Sequence, residues 1–167
     1  MAEYWDLYDE KRNPTGKIHR RGTPIPKGYY HVVANAWVKN EEGRYLLSRR
    51  HPDRSYPLLW EPSGGRVIKG ETSMQGILRE VQEELGITLP AHKGKLVLSL
   101  CKNEYALFHD IWAFSYDVPL EELDIQQNEV AEVAWFTPEE IRQLDVDGLL
   151  VPTQRHYEEI FWFFNKR

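Results

Sequence analysis

The chain has 167 residues, of which 41% are hydrophobic and 28% are charged, and its formal net charge is -5. This length suits one domain with a substantial core and is too short for two ordinary ones, so residues 1–167 are expected to form a single domain. The apolar runs are too short to cross a bilayer, the acidic balance argues against general nucleic-acid binding, and the first residues match no secretory or transit peptide, so a cytoplasmic protein is expected.

Residues 1–28 are an aromatic-rich lead that is predicted to be an N-terminal extension or a hairpin. Residues 13–16, Asn-Pro-Thr-Gly, are a turn signal between two segments of strand character. Three prolines by Pro26 indicate that the second half is an extended cover and not a central strand. A basic cluster in this lead has two open interpretations, a contact with phosphate or a partner and a solvated edge strand; it comprises Lys17, His19, Arg20 and Arg21.

Two strands joined by a turn are predicted next. Residues 29–38, YYHVVANAWV, are an apolar run of strand character, and residues 44–48 are a second strand. The turn sequence Asn-Glu-Glu-Gly at 40–43 lies between them. This order indicates an antiparallel hairpin.

Arginines follow the second strand of this hairpin. Arg49 and Arg50 are candidates for substrate binding, because a guanidinium group binds phosphate oxygens in bidentate fashion. His51 and Arg54 are expected to be solvated residues of the loop that leads to Trp60.

Residues 73–85 are predicted to form an amphipathic helix. Thr72 and Gln75 fit a capping box at its start, and Gly86 suits a left-handed cap at its end. Before this helix, Gly64 and Gly65 allow the backbone to approach a ligand closely. The apolar stripe of the helix consists of Met74, Ile77, Leu78, Val81 and Leu85.

Three carboxylates lie on one side of this predicted helix. Glu80, Glu83 and Glu84 are spaced i, i+3 and i+4, so their like charges repel. Arg79 reaches Glu83 at i+4 and offsets part of this repulsion, but a divalent cation offsets more. Ligands that are all oxygen atoms indicate Mg2+ or Mn2+.

The rest of the chain predicts further strands of a mixed sheet and two helices. Cys101 is expected to be a buried strand residue and not a nucleophile. The final helix is aromatic and is expected to pack on the sheet or on a second subunit, so a homodimer is a possible assembly. The predicted strands span residues 87–89, 93–101, 105–116 and 129–136, and the predicted helices span residues 138–144, capped by Thr137 and Glu140, and 152–166.

Residues 65–87 carry a motif that is specific to one family. They fill every position of the pattern G-x5-E-x7-R-E-U-x-E-E-x-G-U, in which U is a bulky apolar residue. This pattern is the Nudix box, and the sequence resembles a Nudix hydrolase. The resemblance extends to the order of strands over most of residues 29–165, and it implies an α/β fold, a Nudix-type α/β/α sandwich with a mixed β-sheet.

The resemblance also implies an activity and the residues that perform it. The expected reaction is metal-dependent hydrolysis of the pyrophosphate bond in a nucleoside diphosphate linked to another moiety, usually with Mg2+, and Mn2+ is an alternative. One of the box carboxylates is expected to be the general base. Glu71 is expected to brace the loop, and Glu129 or Glu132 is expected to supply a further acid. The expected metal ligands are Glu80, Glu83, Glu84 and the carbonyl of Gly64; the expected catalytic residues are Glu83, Glu80, Arg79 and Glu129; and the substrate-binding candidates are Arg49, Arg50 and Phe108.

Two other functions stay open. The lead EYWDLYDEKRNPTGKIHRRG together with the box resembles the branch close to isopentenyl-diphosphate isomerase. Such isomerases carry a cysteine before the first box glutamate, where this chain has Pro62-Ser63-Gly64-Gly65, so isomerase activity is not favoured. A non-catalytic nucleotide-binding module is the third hypothesis, and the complete set of box glutamates argues against it.

Overall fold

A computed structural model describes residues 2–166 of the chain. Among these residues the chain forms a small hairpin, a larger mixed sheet and three α-helices. The strands are β1 Tyr4–Tyr8, β2 Pro14–Arg20, β3 His31–Lys39, β4 Tyr45–Arg50, β5 Trp60–Glu61, β6 Ser63–Arg66, β7 Lys95–Lys102, β8 Leu107–Ser115 and β9 Val130–Phe136. The helices are α1 Ser73–Leu85, α2 Pro138–Val146 and α3 Tyr157–Asn165.

The central sheet is organised around β3. Its strand order is β5-β4-β3-β8-β7, with β6 paired to β3 and β9 paired to β4. β3 and β8 run parallel from the pair His31 and Leu107 to the pair Lys39 and Ser115. The other pairings described for this sheet are antiparallel. The mixed sheet predicted from the sequence is therefore confirmed.

Helices cover both faces of this sheet. Alternate residues of β3 point to opposite faces, so Val32 and Ala34 pack with Ile77 of α1. Trp37 packs on the other face with Ile160 of α3 and with α2. This arrangement is the α/β/α sandwich that the sequence predicted.

The ends of α1 follow from its capping residues. The hydroxyl of Thr72 accepts the N–H of Gln75, and the Gln75 side chain accepts the N–H of Thr72, so the predicted capping box is confirmed. Gly86 ends the helix in the left-handed conformation, with φ of 71°. Both ends of α1 are thus fixed, and with them the direction in which its carboxylates point.

The N-terminal hairpin is attached to the domain by polar contacts. β1 and β2 pair antiparallel, and Tyr8 bridges to Tyr30 just before β3. At the hairpin turn, Arg12 donates two hydrogen bonds to Asp110 of β8, at 2.7 and 2.6 Å. Asp110 is 1% exposed. The hairpin therefore has a buried ion pair at its turn and backbone hydrogen bonds at its base.

Three local expectations are corrected by the structure. Residues 87–89 form no strand. Residues Pro152–Gln154 form a single 3-10 turn, and the final helix begins only at Tyr157. Cys101 is exposed, because it lies on the outer face of the edge strand β7.

The aromatic residues of α3 pack within the chain. Ile160, Phe161 and Phe164 are buried in the cluster beneath the sheet, whereas Trp162 is 65% exposed. Of the two packing partners expected for this helix, the sheet is the one observed. No helix in the described part of the chain is long and apolar enough to span a membrane.

Candidate functional site

The site begins where β6 lies against α1. A methyl group on Gly64 would lie 2.2 Å from the Ala34 carbonyl oxygen, so β6 approaches β3 too closely for any side chain there. A methyl group on Gly65 would lie 2.5 Å from the carboxyl carbon of Glu80. Two adjacent glycines therefore allow the strand to contact the central sheet on one side and a helix carboxylate on the other.

Glu84 is the most buried carboxylate of α1. It is 5% exposed, and its Oε1 accepts the hydroxyl of Ser63 and, at 3.1 Å, the N–H of Gly64. Burial raises the pKa of Glu84 to about 8, with further contributions from the charges of Glu61 and Glu80. Oε1 of Glu84 is thus an acceptor held against the strand, and burial disfavours the ionised form of this carboxyl group.

Glu80 has a similar environment one helical turn earlier. Burial raises the pKa of Glu80 to about 7, although its ion pair with Arg79 at 3.0 Å acts in the opposite direction. Glu83 is more open, with a side chain that is 51% exposed, and Arg79 contacts it at 3.2 Å. The structure therefore places Glu80 and Glu84 against β6 and Glu83 at the rim.

Arg79 connects the carboxylates to the loop before the helix. Its Nε donates to Glu71 at 2.7 Å, and its Nη2 donates to the Arg66 carbonyl at 3.0 Å. Glu71 in turn accepts the N–H of Ile68 at 2.9 Å. Arg79 and Glu71 thus fix the loop that carries Gly65 relative to α1, and Arg79 also orients Glu80.

A loop after β4 supplies a cation that the sequence analysis expected to be solvated. Arg54 contacts Glu129 at 3.0 Å, and its Nη1 lies 3.9 Å from Glu84. In the same loop, Tyr56 and Leu58 adopt positive φ values of 48° and 62°, which bulky residues rarely do. No sequence pattern marks Arg54, because this irregular backbone decides where its side chain lies.

A cavity of about 340 Å³ adjoins the carboxylates. Gly64 and Gly65 form one wall, and the basic residues Arg50, Arg54 and Lys102 also line it. The floor of the cavity is formed by alternate residues of β3 and β8, and the residues between them face α1. Because successive side chains of a strand point to opposite faces, the cavity lies on the face of the sheet away from α1. The two glycines are shared between this cavity and the carboxylates.

Four polar side chains of this cavity were not identified from the sequence. His31 and Asn35 come from β3, His109 comes from β8, and Gln154 comes from the 3-10 turn before α3; all four are buried. Asn35 Oδ1 accepts from His109 Nε2 at 2.7 Å and from Gln154 Nε2 at 3.1 Å. The signal available was that positions 31 and 35 are polar in an otherwise apolar strand.

Other predicted site residues lie apart from this cavity. Arg49 donates to the Leu58 carbonyl and pairs with Glu132 at 3.4 Å. Phe108 is buried on the α1 face of the sheet, beside Tyr30. Within residues 2–166, the cavity lining includes neither Arg49 nor Phe108, whereas Arg50 lines it and pairs with Glu61 at 2.6 Å.

The donor set near Gly64 fits a divalent cation. Glu84 is buried and Glu80 is half-buried, the charge of Glu80 contributes to the raised pKa of Glu84, and both side chains present oxygen atoms. In residues 2–166, no three His, Cys, Asp or Glu side chains are gathered so as to hold a metal ion by themselves. Mg2+ is usually held by one or two carboxylates together with waters and substrate phosphates, so a two-carboxylate arrangement suits it.

Comparison with known proteins shows similarity over most of the chain. The family model for the NUDIX domain matches residues 29–157. An uncharacterized Nudix hydrolase of Listeria monocytogenes is 39% identical over 152 residues, covering 90% of this chain and 89% of that protein. The CTP pyrophosphohydrolase of Escherichia coli is 32% identical over 117 residues, covering 70% of this chain and 84% of that protein. The crystal structure of DR0079 from Deinococcus radiodurans has a TM-score of 0.76 at 23% identity, covers 95% of this chain and 97% of that chain, and shares the fold.

Proposed function

Because the chain belongs to the Nudix family and is a Nudix-type pyrophosphohydrolase, we propose that it hydrolyses the pyrophosphate bond of a nucleoside diphosphate linked to another moiety, with Mg2+ as its metal. Nudix hydrolases generally use divalent metals and act on small-molecule nucleotide derivatives. One observation carries the proposal: the buried carboxyl group of Glu84 and the half-buried one of Glu80 lie against a double-glycine strand that also forms one wall of a basic cavity. The catalytic unit proposed is the single domain of residues 1–167, including the N-terminal hairpin.

The metal ligands proposed are Glu80, Glu83, Glu84 and the carbonyl of Gly64. A divalent cation held there supplies positive charge to the non-bridging oxygens of the diphosphate and so reduces their repulsion of an attacking nucleophile. Ser63 and the N–H of Gly64 hold Glu84 in one orientation, and Arg79 holds Glu80. Mn2+ is the alternative cation, since it accepts the same oxygen ligands.

The chain's own residues move the proton and bind the phosphates. Water attacks one phosphorus atom, the bridging P–O bond breaks, and the departing phosphate takes the bonding electrons. A carboxylate among Glu80, Glu83 and Glu129 accepts the proton of the attacking water; the raised pKa of Glu80 suits a general base near neutral pH. Arg50 and Arg54 line the cavity next to Gly64 and are proposed to contact phosphate oxygens.

The isomerase alternative is not supported by the position of the chain's thiol. In the segment where the related isomerases carry a cysteine, this chain has Pro62-Ser63-Gly64-Gly65, and the hydroxyl of Ser63 donates to Glu84. Cys101 is exposed on the edge strand β7 and does not line the cavity. A non-catalytic module is also disfavoured, since the chain keeps all the glutamates of the box.

Replacement of Glu84 by Gln tests the proposed function. Gln keeps the shape and the acceptor oxygen for Ser63 and Gly64, but it removes the charge that holds a metal. With Mg2+ and a panel of nucleoside diphosphate conjugates, dinucleoside polyphosphates and isopentenyl diphosphate, we expect kcat to fall by about 100-fold or more. Chromatography measures the nucleoside monophosphate and the second phosphomonoester that cleavage produces, and isomer formation is measured separately.

The matched control is Glu139→Gln, which changes an exposed carboxylate on α2. Its turnover should equal that of the wild type, and circular dichroism should show the same fold for both variants. If Glu84→Gln unfolds the protein, the carboxylate is structural. If the wild type cleaves the pyrophosphate bond of no member of the panel, the proposed function is wrong.

A further inference from the structure

Two backbone carbonyls fix the hydrogen-bond polarity of the cavity floor. Asn35 Nδ2 donates to the Pro62 carbonyl at 2.9 Å, and a carbonyl only accepts, so the amide nitrogen of Asn35 must face it. Asn35 Oδ1 therefore faces the other way. It accepts from both His109 and Gln154.

The orientation of the Asn35 amide determines which atoms of His109 and Gln154 remain available for hydrogen bonds to a ligand. Gln154 uses its Nε2 to donate to Asn35, so Oε1 is its remaining group, and this oxygen has no partner among residues 2–166. Burial lowers the pKa of His109 to about 4, so the ring is neutral at pH 7. Because Nε2 donates to Asn35, Nδ1 of His109 is an acceptor.

His31 is fixed in the same way by the second carbonyl. Its Nδ1 donates to the Ala106 carbonyl at 3.0 Å, and the ring stacks on Trp5 with centroids 4.5 Å apart. Burial lowers the pKa of His31 to about 4, so this ring is also neutral. Its Nε2 is therefore an acceptor, and it too is buried without a partner in the described chain.

Two acceptors, His31 Nε2 and Gln154 Oε1, are thus buried without a partner among residues 2–166, and His109 Nδ1 is a further acceptor on a residue that lines the cavity. An unpaired buried acceptor is unfavourable, and a ligand N–H or O–H that bonds to it removes this penalty. We propose that His31, His109 and Gln154 determine substrate specificity by accepting hydrogen bonds from amino or hydroxyl groups on the non-phosphate end of the substrate. This inference rests on the proposed function, and it names the hydrogen-bonding groups expected on the nucleoside or on the leaving group of the substrate.

The arrangement of hydrogen-bond acceptors on the cavity floor also determines how a substrate is oriented in the cavity. Phosphate oxygens are acceptors with negative charge, so they are excluded from a floor of acceptors and are attracted to the basic side chains near Gly64. Arg50 and Arg54 lie on that side, where they contact Glu61 and Glu129, whereas Lys102 donates to the Thr153 carbonyl at 3.5 Å at the other end of the cavity. The diphosphate consequently lies at the glycine wall beside the carboxylates, and the donor-bearing moiety fills the rest of the 340 Å³ cavity.

Matched diphosphates that differ by one donor test this inference. All test compounds are nucleoside diphosphates linked to ribose. The first pair is cytidine diphosphate ribose and its analogue with hydrogen in place of the 4-amino group; the second is adenosine diphosphate ribose and the corresponding purine riboside conjugate. The third pair, adenosine diphosphate ribose and its 2′-deoxyadenosine counterpart, removes one sugar hydroxyl. We expect kcat/KM with Mg2+ to favour the donor-bearing member of at least one pair by about tenfold or more. A preference in the first two pairs identifies an amino group, and one in the third identifies a hydroxyl.

Variants assign the preference to the proposed side chains. His31→Phe keeps an aromatic ring against Trp5 but removes the acceptor, and Gln154→Met keeps the length of the side chain without its oxygen. Each should reduce the preference to about twofold or less. The control Val33→Ala changes a lining residue between His31 and Asn35, so it should weaken both members of a pair equally and keep their ratio.

Binding measured apart from turnover separates this inference from the proposed function. Methylene-bridged analogues of the same pairs are titrated by calorimetry with Mg2+, and the ratio of Kd values should match the kcat/KM ratio. If the wild type hydrolyses both members of every pair equally, the specificity assignment is wrong and the proposed function stands. If no diphosphate is hydrolysed, the proposed function fails, and the ratio of Kd values alone decides the assignment.

Discussion

Arg54 provides positive charge at the point where the carboxylates are most crowded. It contacts Glu129 at 3.0 Å and approaches Glu84 at 3.9 Å. A guanidinium group in this position competes by charge repulsion with any cation that binds the same carboxylates. It is also long enough to turn toward a substrate phosphate once a metal neutralises Glu84.

Replacement of Arg54 by Met should therefore separate metal binding from substrate binding. We expect Mn2+ affinity without substrate to rise by about threefold to tenfold, because the competing charge is gone. The value of kcat/KM should fall by about tenfold or more through loss of a phosphate contact. The Mn2+ affinity is measured from the electron paramagnetic resonance signal of free Mn2+, and kcat/KM is measured by steady-state kinetics.

The control for this experiment is Arg142→Met, which removes an arginine that pairs with Glu158 at 2.8 Å on the surface. Its Mn2+ affinity should match that of the wild type. Weaker Mn2+ binding by Arg54→Met would mean that Arg54 supports the metal site and does not compete with it.

The box residues were predictable from the sequence, whereas Arg54 was not. Glu80, Glu83 and Glu84 are close because helical geometry brings i, i+3 and i+4 together, and the stripe and caps of α1 are local in sequence. The position of Arg54 depends on a loop with two residues at positive φ. Local patterns do not specify such a backbone.

The strand β6 is the element in which a single methyl group has the largest effect. Gly64→Ala would place Cβ 2.2 Å from a backbone oxygen of β3, and that strand cannot move without breaking the sheet. We expect the free energy of unfolding to fall by about 3 kcal/mol. Gly65→Ala would instead place Cβ 2.5 Å from the movable end of Glu80.

The two neighbouring variants should consequently give different results. Gly65→Ala should keep stability within about 1 kcal/mol of the wild type and lower kcat by about tenfold or more, since Glu80 must leave its position. Urea denaturation and turnover measure the two effects. Equal loss of stability in both variants would show that the space beside Glu80 matters for folding and not for the site.

The hairpin of β1 and β2 is predicted to depend on one ion pair. Arg12→Met leaves the buried carboxylate of Asp110 without its partner. We expect the free energy of unfolding to fall by about 2 kcal/mol. This is less than for a fully buried ion pair, because the Arg12 side chain is 32% exposed. Hydrogen exchange of the Tyr8 and Tyr30 amides, which bond each other's carbonyls across the hairpin base, should become faster.

Arg21→Met is the matched control in the same hairpin. It pairs with Glu3 at 3.1 Å, but its side chain is 55% exposed. Its stability and amide exchange should stay close to those of the wild type. Similar losses in both variants would contradict a specific role for the buried pair.

Whole elements were predicted with uneven success, for physical reasons. α1 and the start of α2 carry capping boxes that are visible in sequence, and both are observed. The proline at 152 fits the start of a 3-10 turn as well as that of a helix, so the start of α3 was placed too early. The cavity was not predictable, because β3, β8 and the turn at Pro152–Gln154 meet only through long-range pairing.

Across the molecule, stability should depend on pH in a direction set by the buried carboxyl groups. Burial raises the pKa of Glu80 to about 7 and of Glu84 to about 8. Both pKa values exceed the unfolded value of about 4.3. The folded state therefore holds these protons more tightly, and the associated stability is complete below about pH 4 and is lost as pH rises through 7 and 8.

Without metal, the free energy of unfolding should fall by about 2 kcal/mol between pH 6.5 and 9, which corresponds to a decrease in Tm of roughly 4–8 °C. Saturating Mg2+ should restore more of this loss at pH 9 than at pH 6.5, because it binds the ionised carboxylates. Thermal denaturation with chelator and with Mg2+ measures both. Measurement above pH 6.5 avoids the opposite contribution of His31 and His109, whose neutral folded forms add stability as pH rises from about 4 to 6.5.

Glu84→Gln is the control for this pH dependence, because the variant has no proton to lose at that position. Its Tm without metal should change less between pH 6.5 and 9, and Mg2+ should stabilise it less. A metal-free wild type whose Tm rises over this range would contradict the assignment of raised pKa values to the carboxylates.

The parallel pairing of β3 with β8 also has a consequence for how the chain folds. Everything from Asn40 to Ala106, including α1 and the double-glycine strand, lies between these two partners in sequence. Closing so long a loop costs chain entropy before the pairing of β3 with β8 provides any stabilisation, and this slows folding. A chain emerging from the ribosome therefore exposes one edge of β3 until residue 115 has been synthesised, and the catalytic apparatus matures late in biogenesis.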